Sequence, residues 1–544
     1  MCKKKKPATH NENLRAAPVW RSQLTVMIAG YAHALSMAWP FEGFPGLNTG
    51  QAWGGLQLAS LVLLVFHLQR HIQPGQGALL GWSFATSMLC GTFWWLFISM
   101  HLYGGLAAPL ALMAVLGLAA VLALYYAAAA ALYVWLAPNS SVGRACVFAS
   151  LWLLGELARV KLFTGFPWGE GGYAHIDGWA GSLAGWVGVH GLTWLAAWTA
   201  ALFSALCVDV RLGRYALNPN PVMAGVALLL ISFGVSTLPP AVWATPSEKP
   251  ARPPLSVTLL QGNIPQDLKF QPGTGVLDAL RFYGPQLKQA QTSLVVSPET
   301  AFPMLPEQLP RDYWQAIKSR FTNGEQAALI GIPLGSSRDG YSNSLLGLKP
   351  GASDYRYDKH HLVPFGEFVP PFFQWFIQML AIPLGDFNRG TLGQSPFEWR
   401  GERLAPNICY EDLFGEELGA NFKDAANAPT ILVNVSNIAW FGNTVAIDQH
   451  LNIARMRSLE FARPMLRATN TGATVVIDAQ GRVTHALERH TRGALVAEVQ
   501  GVDGMTLYAR WVSRFGLAPW WILGGVVVGL ALLAHMRRPA QPLA

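Results

Sequence analysis

The sequence predicts a polytopic α-helical membrane protein of about eight spans that carries one large water-soluble α/β domain. Three observations favour this fold class. Of the 544 residues, 13% are charged and 51% are hydrophobic, whereas soluble proteins have about 25% charged residues. Of the 70 charged residues, 44 lie between positions 255 and 500. Apolar stretches of roughly 17–25 residues, long enough to cross a bilayer, recur outside that region.

This composition excludes several classes of protein. A mean hydropathy of +0.27 is incompatible with a disordered chain or an ordinary cytosolic enzyme. Five cysteines in 544 residues are too few for a secreted domain held together by disulfides. Residues 255–500 contain 21 basic and 23 acidic residues and no basic stripe, so nothing favours nucleic-acid binding.

The predicted spans account for most of the remaining chain. They cover residues 22–40, 50–68, 78–99, 108–136, 145–160, 183–207, 221–243 and 517–536. Short polar breaks that contain Pro or Gly separate several of them, as expected where helices end.

The placement of Lys and Arg predicts the orientation of these spans. Twelve basic residues fall in the N-terminal segment, the even-numbered breaks and the C-terminal tail, whereas the odd-numbered short breaks contain only Arg159 and Lys161. Basic residues concentrate on the cytoplasmic side of a membrane. We therefore expect both termini in the cytoplasm and the soluble domain outside. A cleaved signal peptide is disfavoured because Ala32-His33-Ala34 lies inside an uninterrupted span.

The predicted organisation has seven parts. They are a basic cytoplasmic N-terminus (1–21), a seven-span region (22–244), a linker (245–254), a water-soluble domain (255–500), a connector (501–516), an eighth transmembrane helix (517–536) and a cytoplasmic tail (537–544).

Residues 255–500 show the pattern of an α/β domain. Short apolar runs predict buried strands at Val257–Leu260, Leu294–Val296, Ala328–Ile330, Ile431–Val435 and Thr474–Ile477. Helix-length amphipathic stretches lie at 274–291, 310–321 and 446–463. Strands that alternate with helices indicate a central sheet covered on its faces.

Three reactive residues follow predicted strands or short apolar runs. Glu299 comes after Val295-Val296-Ser297-Pro298, Lys359 begins Lys359-His360-His361, and Cys409 begins Cys409-Tyr410-Glu411. Residues just past strand ends converge on the crevice where α/β domains bind ligands. A cysteine nucleophile, a glutamate base and a lysine that stabilises an oxyanion make an acyl-transfer site. Taken singly, each has a simpler interpretation as a buried thiol or a surface charge. Cys409 is, however, the only cysteine of the domain.

Longer strings around these residues resemble one family. Pro298-Glu299, Asp358 to Glu367 and Ile408 to Glu411 resemble the Glu-Lys-Cys pattern of the nitrilase superfamily, and the resemblance is closest to its apolipoprotein N-acyltransferase branch. Further matching strings are Thr164 to Trp168, Gln261 to Gln266, His361 to Pro370, Ala439 to Gly442, Ala454 to Arg457 and Tyr508 to Arg510. The resemblance implies an α-β-β-α sandwich inserted between spans, in the cytoplasmic (inner) membrane of a bacterium.

The resemblance also implies a two-step reaction without a cofactor or metal. Glu299 deprotonates Cys409, whose thiolate takes the sn-1 acyl chain of a phospholipid as a thioester, with Lys359 at the oxyanion. The α-amine of a diacylglyceryl-cysteine at the N-terminus of an apolipoprotein then accepts the chain. Supporting positions of the family match Asn343, Glu367, Tyr410 and Glu411, and tentative substrate contacts match Phe270 and Trp440.

Four positions depart from the family pattern: Ser297, Phe270, Ile438 and Thr471 stand where Trp, Trp, Asp and Asn are expected. None removes a catalytic group, but each leaves substrate contacts open. The apolar segment Pro371–Ile377 is either a membrane-facing lid or part of the core. His360 and His361 lack further ligands at a zinc-like spacing.

Two other functions fit parts of the sequence. A membrane-anchored amidase of the nitrilase type would use the same three residues with water as the acceptor. One or two spans would be enough to anchor such an enzyme, so the eight predicted spans argue against it. A non-enzymatic transporter or assembly factor with a degenerate domain would normally have lost Glu299, Lys359 or Cys409, and all three are present.

Overall fold

The computed structural model describes residues 18–71, 73–211, 252–370 and 386–537. Several predicted features lie wholly or largely outside these residues. They are the basic N-terminus, the seventh span at 221–243, most of the linker 245–254, the apolar segment Pro371–Ile377 and the C-terminal tail.

Apolar helices occupy the other seven predicted span positions. Their bounds are α1 Val19–Leu35, α2 Gly54–Leu68, α3 Pro74–Phe93, α4 Leu96–Ile98, α5 Ala108–Leu136, α6 Ser141–Lys161, α7 Ala184–Arg211 and, near the C-terminus, α13 Ala518–Met536. The predicted limits of the fourth span match α5 at both ends, and the other predicted limits deviate by up to about six residues because helix ends depend on capping and packing.

Length and composition single out three of these helices as able to cross a membrane. Within the described ranges they are Ala108–Leu136, Trp179–Ala205 and Ala518–Met536. A fourth arises if Pro74–Phe93 and Leu96–Tyr103, which meet at a bend of 61°, form one span. Helix α2 is apolar but has only 15 residues. The described helices therefore do not by themselves reach the predicted number of about eight spans.

The soluble part contains two six-stranded sheets. The first has the order β12-β1-β2-β3-β4-β5 and the second has the order β11-β10-β9-β8-β7-β6. Their strands are β1 Leu255–Gln261, β2 Leu294–Val296, β3 Ala327–Ser336, β4 Gly340–Leu348, β5 Tyr355–Asp358, β6 Phe397–Trp399, β7 Glu402–Ile408, β8 Ile431–Ser436, β9 Met465–Thr469, β10 Val475–Ile477, β11 Val483–Ala486 and β12 Gly493–Val499. In each sheet three central strands are parallel, β1-β2-β3 and β7-β8-β9, and the flanking strands are antiparallel.

Alternate residues of the central strands face different layers. In β2, Leu294 and Val296 pack between the two sheets, while Val295 packs under the helices of the first sheet. In β8, Val433 faces the other sheet and Leu432 faces the opposite side. This period of two buries both faces of each sheet. The first sheet is covered by α8 Leu277–Gln289 and α9 Arg311–Thr322, and the second by α11 Ala446–Phe461. The expected α-β-β-α sandwich is therefore present.

The five strands and three helices predicted from periodicity are all present. Seven strands were not predicted: the central strands β7 and β9 and the flanking strands β4, β5, β6, β11 and β12. These flanking strands alternate less clearly; all four residues of β11, for example, are exposed. The predicted connector 501–516 contains a further helix, α12 Leu507–Phe515, and a short helix α10 Gly415–Gly419 lies behind the second sheet.

Helix α11 joins the sandwich to the membrane helices. Gln449 accepts hydrogen bonds from the indoles of Trp95 (3.1 Å) and Trp168 (2.8 Å). Asn452 donates to the carbonyl oxygens of Met37 (3.1 Å) and Gly50 (3.0 Å). These partners lie in the breaks after α1, α3 and α6, so all three breaks face the soluble domain.

A second contact between the two parts lies at Gly188. Its φ of 67° interrupts the helical geometry of α7, and the next N–H, from Val189, donates to Glu460 of α11 at 2.7 Å. The ring of Tyr508 from α12 packs so closely that a Cβ atom at position 188 would lie 2.2 Å from it. Positive φ and close approach together require glycine here.

We expect Gly188→Ala to destabilise the protein by about 2 kcal/mol or more, because it adds both backbone strain and a clash with Tyr508. Thermal unfolding in detergent measures this. Gly117→Ala in α5 is the matched control, since a Cβ there meets no atom within 4 Å. Equal unfolding midpoints for the two variants would contradict the assignment.

Candidate active site

Glu299 lies three residues past the end of β2, at the carboxyl edge of the first sheet. Its Oε1 accepts hydrogen bonds from Asn343 Nδ2 (2.8 Å) and Lys359 Nζ (3.3 Å), and its Oε2 accepts one from the backbone N–H of Asn437 (2.8 Å). The next residue, Thr300, has a φ of 49°. Strained backbone next to a buried carboxylate is typical of functional sites.

Lys359 follows β5 directly and lies between two carboxylates. Its Nζ is 3.3 Å from Glu299 and 2.9 Å from Glu367, and the side chain is 1% exposed. Asn343 Nδ2 bridges the same pair, 2.7 Å from Glu367 Oε1. Burial alone would lower the pKa of Lys359, but Glu367 and Glu299 raise it above the ordinary value. The ammonium is therefore charged at neutral pH.

The same contacts keep Glu299 ionised. Burial favours the neutral carboxyl, but the ammonium of Lys359, the amide of Asn343 and the charge of Lys269 outweigh it and lower the pKa of Glu299. An ionised carboxylate with open lone pairs can accept a proton from a neighbouring group.

Cys409 is the first residue after β7 and has a φ of 54°. A sharp strand-to-helix turn of this kind presents a nucleophile at the sheet edge. The side chain is half-buried. Burial and the charge of Glu299 raise the pKa of the thiol to about 12, and Lys359 only partly opposes this rise. The resting group is therefore a thiol, and its proton has to leave as the nucleophile attacks.

Glu411 ties the Lys359 segment to the Cys409 turn. Its Oε1 accepts from the N–H groups of His360 (2.6 Å) and His361 (3.2 Å), and its Oε2 accepts from the N–H of Ile408 (2.6 Å) and from Tyr357 Oη (2.9 Å). Burial raises the pKa of Glu411 to about 7, against the effect of these donors. All four partners donate, so the carboxylate form fits them best.

Two of the other expected supporting residues belong to the cluster of Glu299 and Lys359. The third points away from that cluster. Asn343 bridges Glu299 and Glu367, and Glu367 also accepts from the N–H of Val363 at 2.8 Å. Tyr410 instead points its hydroxyl towards the break after α6, where it donates to the carbonyl oxygen of Gly165 at 3.2 Å.

The two tentative substrate contacts have neighbours outside this cluster. The Phe270 ring is 45% exposed and lies 5.9 Å from the ammonium of Lys269. The Trp440 ring packs edge-on against Tyr103, in the segment after α4, with centroids 5.9 Å apart.

Sequence reasoning missed Lys269. Its side chain is 2% exposed, and Nζ donates to the backbone carbonyl oxygen of Glu299 at 3.1 Å. Burial lowers the pKa of Lys269 to about 8, despite the opposing charge of Glu299. The available signal was its position directly before Phe270, a position that the family pattern had already pointed to. With Lys269 and Lys359, two cations balance the two carboxylates of the site.

The two histidines that follow Lys359 have partners within the chain. His361 Nδ1 lies 3.1 Å from Glu417, and its ring stacks on Phe414, while His360 Nδ1 donates to the carbonyl oxygen of Gly390. In the part of the chain that the structure describes, no three His, Cys, Asp or Glu residues are grouped to hold a metal ion.

Comparison with known proteins adds the family. Residues 34–202 match the model of the apolipoprotein N-acyltransferase N-terminal domain, and residues 256–504 match that of carbon-nitrogen hydrolases. An apolipoprotein N-acyltransferase from Verminephrobacter eiseniae is 54% identical over 92% of this chain and 95% of its own length. One from Ralstonia nicotianae is 45% identical over 89% and 90%, and one from Bordetella bronchiseptica is 40% identical over 96% and 99%. The chain therefore belongs to the apolipoprotein N-acyltransferase family, and its soluble part has the nitrilase-like fold of carbon-nitrogen hydrolases.

Proposed function

We propose that this enzyme transfers the sn-1 acyl chain of a phospholipid to the N-terminal amine of diacylglyceryl-cysteine in apolipoproteins. The observation that carries the proposal is the ion cluster of Glu299, Lys359 and Glu367 beside a thiol on a strained turn, in a chain of this family. The enzyme needs no cofactor for this chemistry.

In the first half-reaction the Cys409 sulfur attacks the ester carbon while Glu299 takes the thiol proton. Lys359 and backbone N–H groups stabilise the oxyanion of the tetrahedral intermediate. The C–O bond then breaks, the leaving alkoxide takes the proton from Glu299, and lysophospholipid departs. The product on the enzyme is a thioester at Cys409.

In the second half-reaction the neutral α-amine of the lipoprotein attacks the thioester carbon. A new C–N bond forms, the amine proton passes to Glu299, and the C–S bond breaks. The departing thiolate recovers the proton from Glu299, so the enzyme returns to its starting state. Two sequential substrates at one site give ping-pong kinetics.

The remaining polar residues position this machinery. Glu367 and Asn343 fix the positions of the Lys359 ammonium and the Glu299 carboxylate through hydrogen bonds. Glu411 holds the Cys409 turn against the Lys359 segment. Tyr410 anchors the turn to the membrane part through Gly165.

The lipid substrates explain why the site is attached to membrane helices. Moving an acyl chain of about sixteen carbons from lipid into water would cost on the order of 10 kcal/mol at about 0.8 kcal/mol per CH₂. Trp440 packs on the segment after α4, and Phe270 stands exposed near Lys269. We propose that both rings receive this chain.

The proposed topology keeps eight spans, with both termini in the cytoplasm of a bacterium and the catalytic domain 255–500 outside its inner membrane. The seven-span region 22–244, the linker 245–254 and the connector 501–516 join these parts. Support comes from the contacts of α11 with the breaks after α1, α3 and α6. These are the breaks that the distribution of Lys and Arg also assigns to the outside.

An amidase that hydrolyses small C–N substrates is less well supported. It would use the same site, but it would not require the N-terminal membrane domain that the family shares. A non-enzymatic role is disfavoured because Glu299, Lys359 and Cys409 are all present.

We expect Cys409→Ala to abolish N-acylation, because no thioester can form. Mass spectrometry of the purified wild-type protein should show a fatty-acyl adduct on Cys409 that hydroxylamine removes. Cys90→Ala, which removes a free thiol from helix α3, is the control and should retain both adduct and activity. N-acylation by the Cys409→Ala protein would contradict the mechanism.

We expect the two half-reactions to differ in pH dependence. Thioester formation needs ionised Glu299 and charged Lys359; the pKa of the first is lowered and that of the second raised. These two groups stay charged between about pH 5 and 9. The single-turnover rate should therefore follow Glu411, whose pKa burial raises to about 7: it should rise as the pH increases through about 7, where the positioning carboxylate forms, and then level off. Transfer from preformed acyl-enzyme needs a neutral α-amine, so its rate should rise with pH up to about 8. A bell-shaped first step centred near neutral pH would contradict these assignments.

We expect Glu411→Gln to be as damaging as Glu411→Ala, because the amide NH₂ that replaces one carboxylate oxygen would face two donors and leave both without an acceptor. The expected loss is about 1–3 kcal/mol of stability and at least about tenfold in the rate of thioester formation. Thermal unfolding and single-turnover assays measure these losses. The same change at exposed Glu307 is the control, and an active, stable Glu411→Gln protein would rule out the positioning role.

A further inference from the structure

The buried imidazole of His450, on α11, contacts the backbone of the nucleophile. Its Nε2 lies 3.3 Å from the carbonyl oxygen of Cys409, and its Nδ1 lies 2.8 Å from Nη2 of Arg467. The side chain is 1% exposed. Neither the sequence patterns nor the proposed reaction gives this residue a role.

The partners of His450 determine where its proton lies. A guanidinium only donates hydrogen bonds, so Nδ1 is an acceptor and the proton is on Nε2, which donates to the Cys409 carbonyl. Arg467 is itself fixed by Asp412 (2.7 Å) and by Asn434 Oδ1 (2.9 Å). Asp412 lies 3.9 Å from Nε2, beyond hydrogen-bond reach.

The charges around the ring keep the imidazole neutral. Burial and the charge of Arg467 hold the pKa of His450 well below its usual range, and the charge of Lys359 acts in the same direction. A neutral ring with one defined N–H is a fixed donor, not a proton shuttle.

This contact fixes a peptide unit at the centre of the reaction. In a trans peptide the C=O and the following N–H point in opposite directions. Holding the Cys409 carbonyl towards α11 therefore turns the N–H of Tyr410 to the opposite side. The φ of 54° at Cys409 costs about 1–3 kcal/mol and persists only if its surroundings enforce it.

We infer that His450 is a positioning residue, which holds the Cys409–Tyr410 peptide so that the Tyr410 N–H can donate to the oxyanion of the acyl intermediate. This inference rests on the proposed acyl-transfer function. Arg467, which Asp412 holds in place, sets the tautomer of His450.

The membrane part supports the same residue. The indole of Trp168, in the break after α6, packs against the His450 ring with centroids 5.4 Å apart. Trp168 also donates to Gln449, the residue before His450. The position of the nucleophile thus depends on a residue outside the soluble sandwich.

The test compares His450→Leu with His450→Gln in the full-length protein in detergent. Leucine removes the shorter of the two contacts with the Cys409 carbonyl and leaves only Asn434 Nδ2, at 3.5 Å, whereas the glutamine amide keeps an N–H near the position of Nε2. We expect leucine to slow thioester formation from phospholipid about 10- to 100-fold and glutamine to restore it to within about fivefold of the wild-type rate. The apparent KM for phospholipid should change less than about threefold, because binding contacts remain.

Alkylation of Cys409 by iodoacetamide provides the second readout, since this reaction forms no oxyanion. We expect its rate in His450→Leu to stay within about threefold of wild type, which also shows that the site is folded. If His450→Leu does not accumulate, His450→Asn replaces it, because its shorter amide does not reach the carbonyl.

The inference would be overturned if His450→Leu formed the thioester at the wild-type rate. It would also be overturned if this variant lost acylation and alkylation to the same extent. A glutamine variant as slow as the leucine one would overturn it too. Absence of a thioester in the wild-type protein would instead refute the proposed function itself.

Discussion

The structure of the site depends on one buried cation held between two carboxylates. Lys359 lies 3.3 Å from Glu299 and 2.9 Å from Glu367. Charges removed from water cost several kcal/mol each, and only close, fully hydrogen-bonded partners offset that cost. Asn343 and the N–H of Asn437 supply the missing hydrogen bonds. Residues that follow strands of both sheets meet at this cluster and satisfy its hydrogen bonds.

Around this cluster, neighbouring elements restrain the turn that carries the thiol. Glu411 binds the backbone before it and the Lys359 segment beside it. Tyr410 reaches the break after α6 through Gly165. The turn is held from both the sandwich and the membrane helices, which suits a reaction whose acyl donor and acceptor both come from the bilayer. The strained conformation of Cys409 is retained because several independent contacts oppose its relaxation.

The fold was predictable where burial imposes a pattern. Parallel central strands such as β2 and β8 are apolar on both faces, because both faces are covered, and they stand out as continuous apolar runs. Flanking strands such as β11, with every residue exposed, have no such pattern and were missed. The central strands β7 and β9 were also missed, because charged residues such as Arg403 and Arg467 interrupt their apolar runs. Helices α5 and α13 were predicted closely because lipid-facing helices are apolar all round.

The sequence by itself determined the three reactive side chains and their approximate positions: a glutamate, a lysine and a cysteine, each next to the end of an apolar run. Only the tertiary structure decided which groups meet. His450 carries no local signal, and the position of Lys269 before Phe270 does not show what it contacts, since the roles of both arise from hydrogen bonds to the backbone of Cys409 and Glu299, residues distant in the chain. The physical reason is that hydrogen bonds and charge pairs act over a few ångströms in space. Sequence periodicity reports only which side of an element is buried.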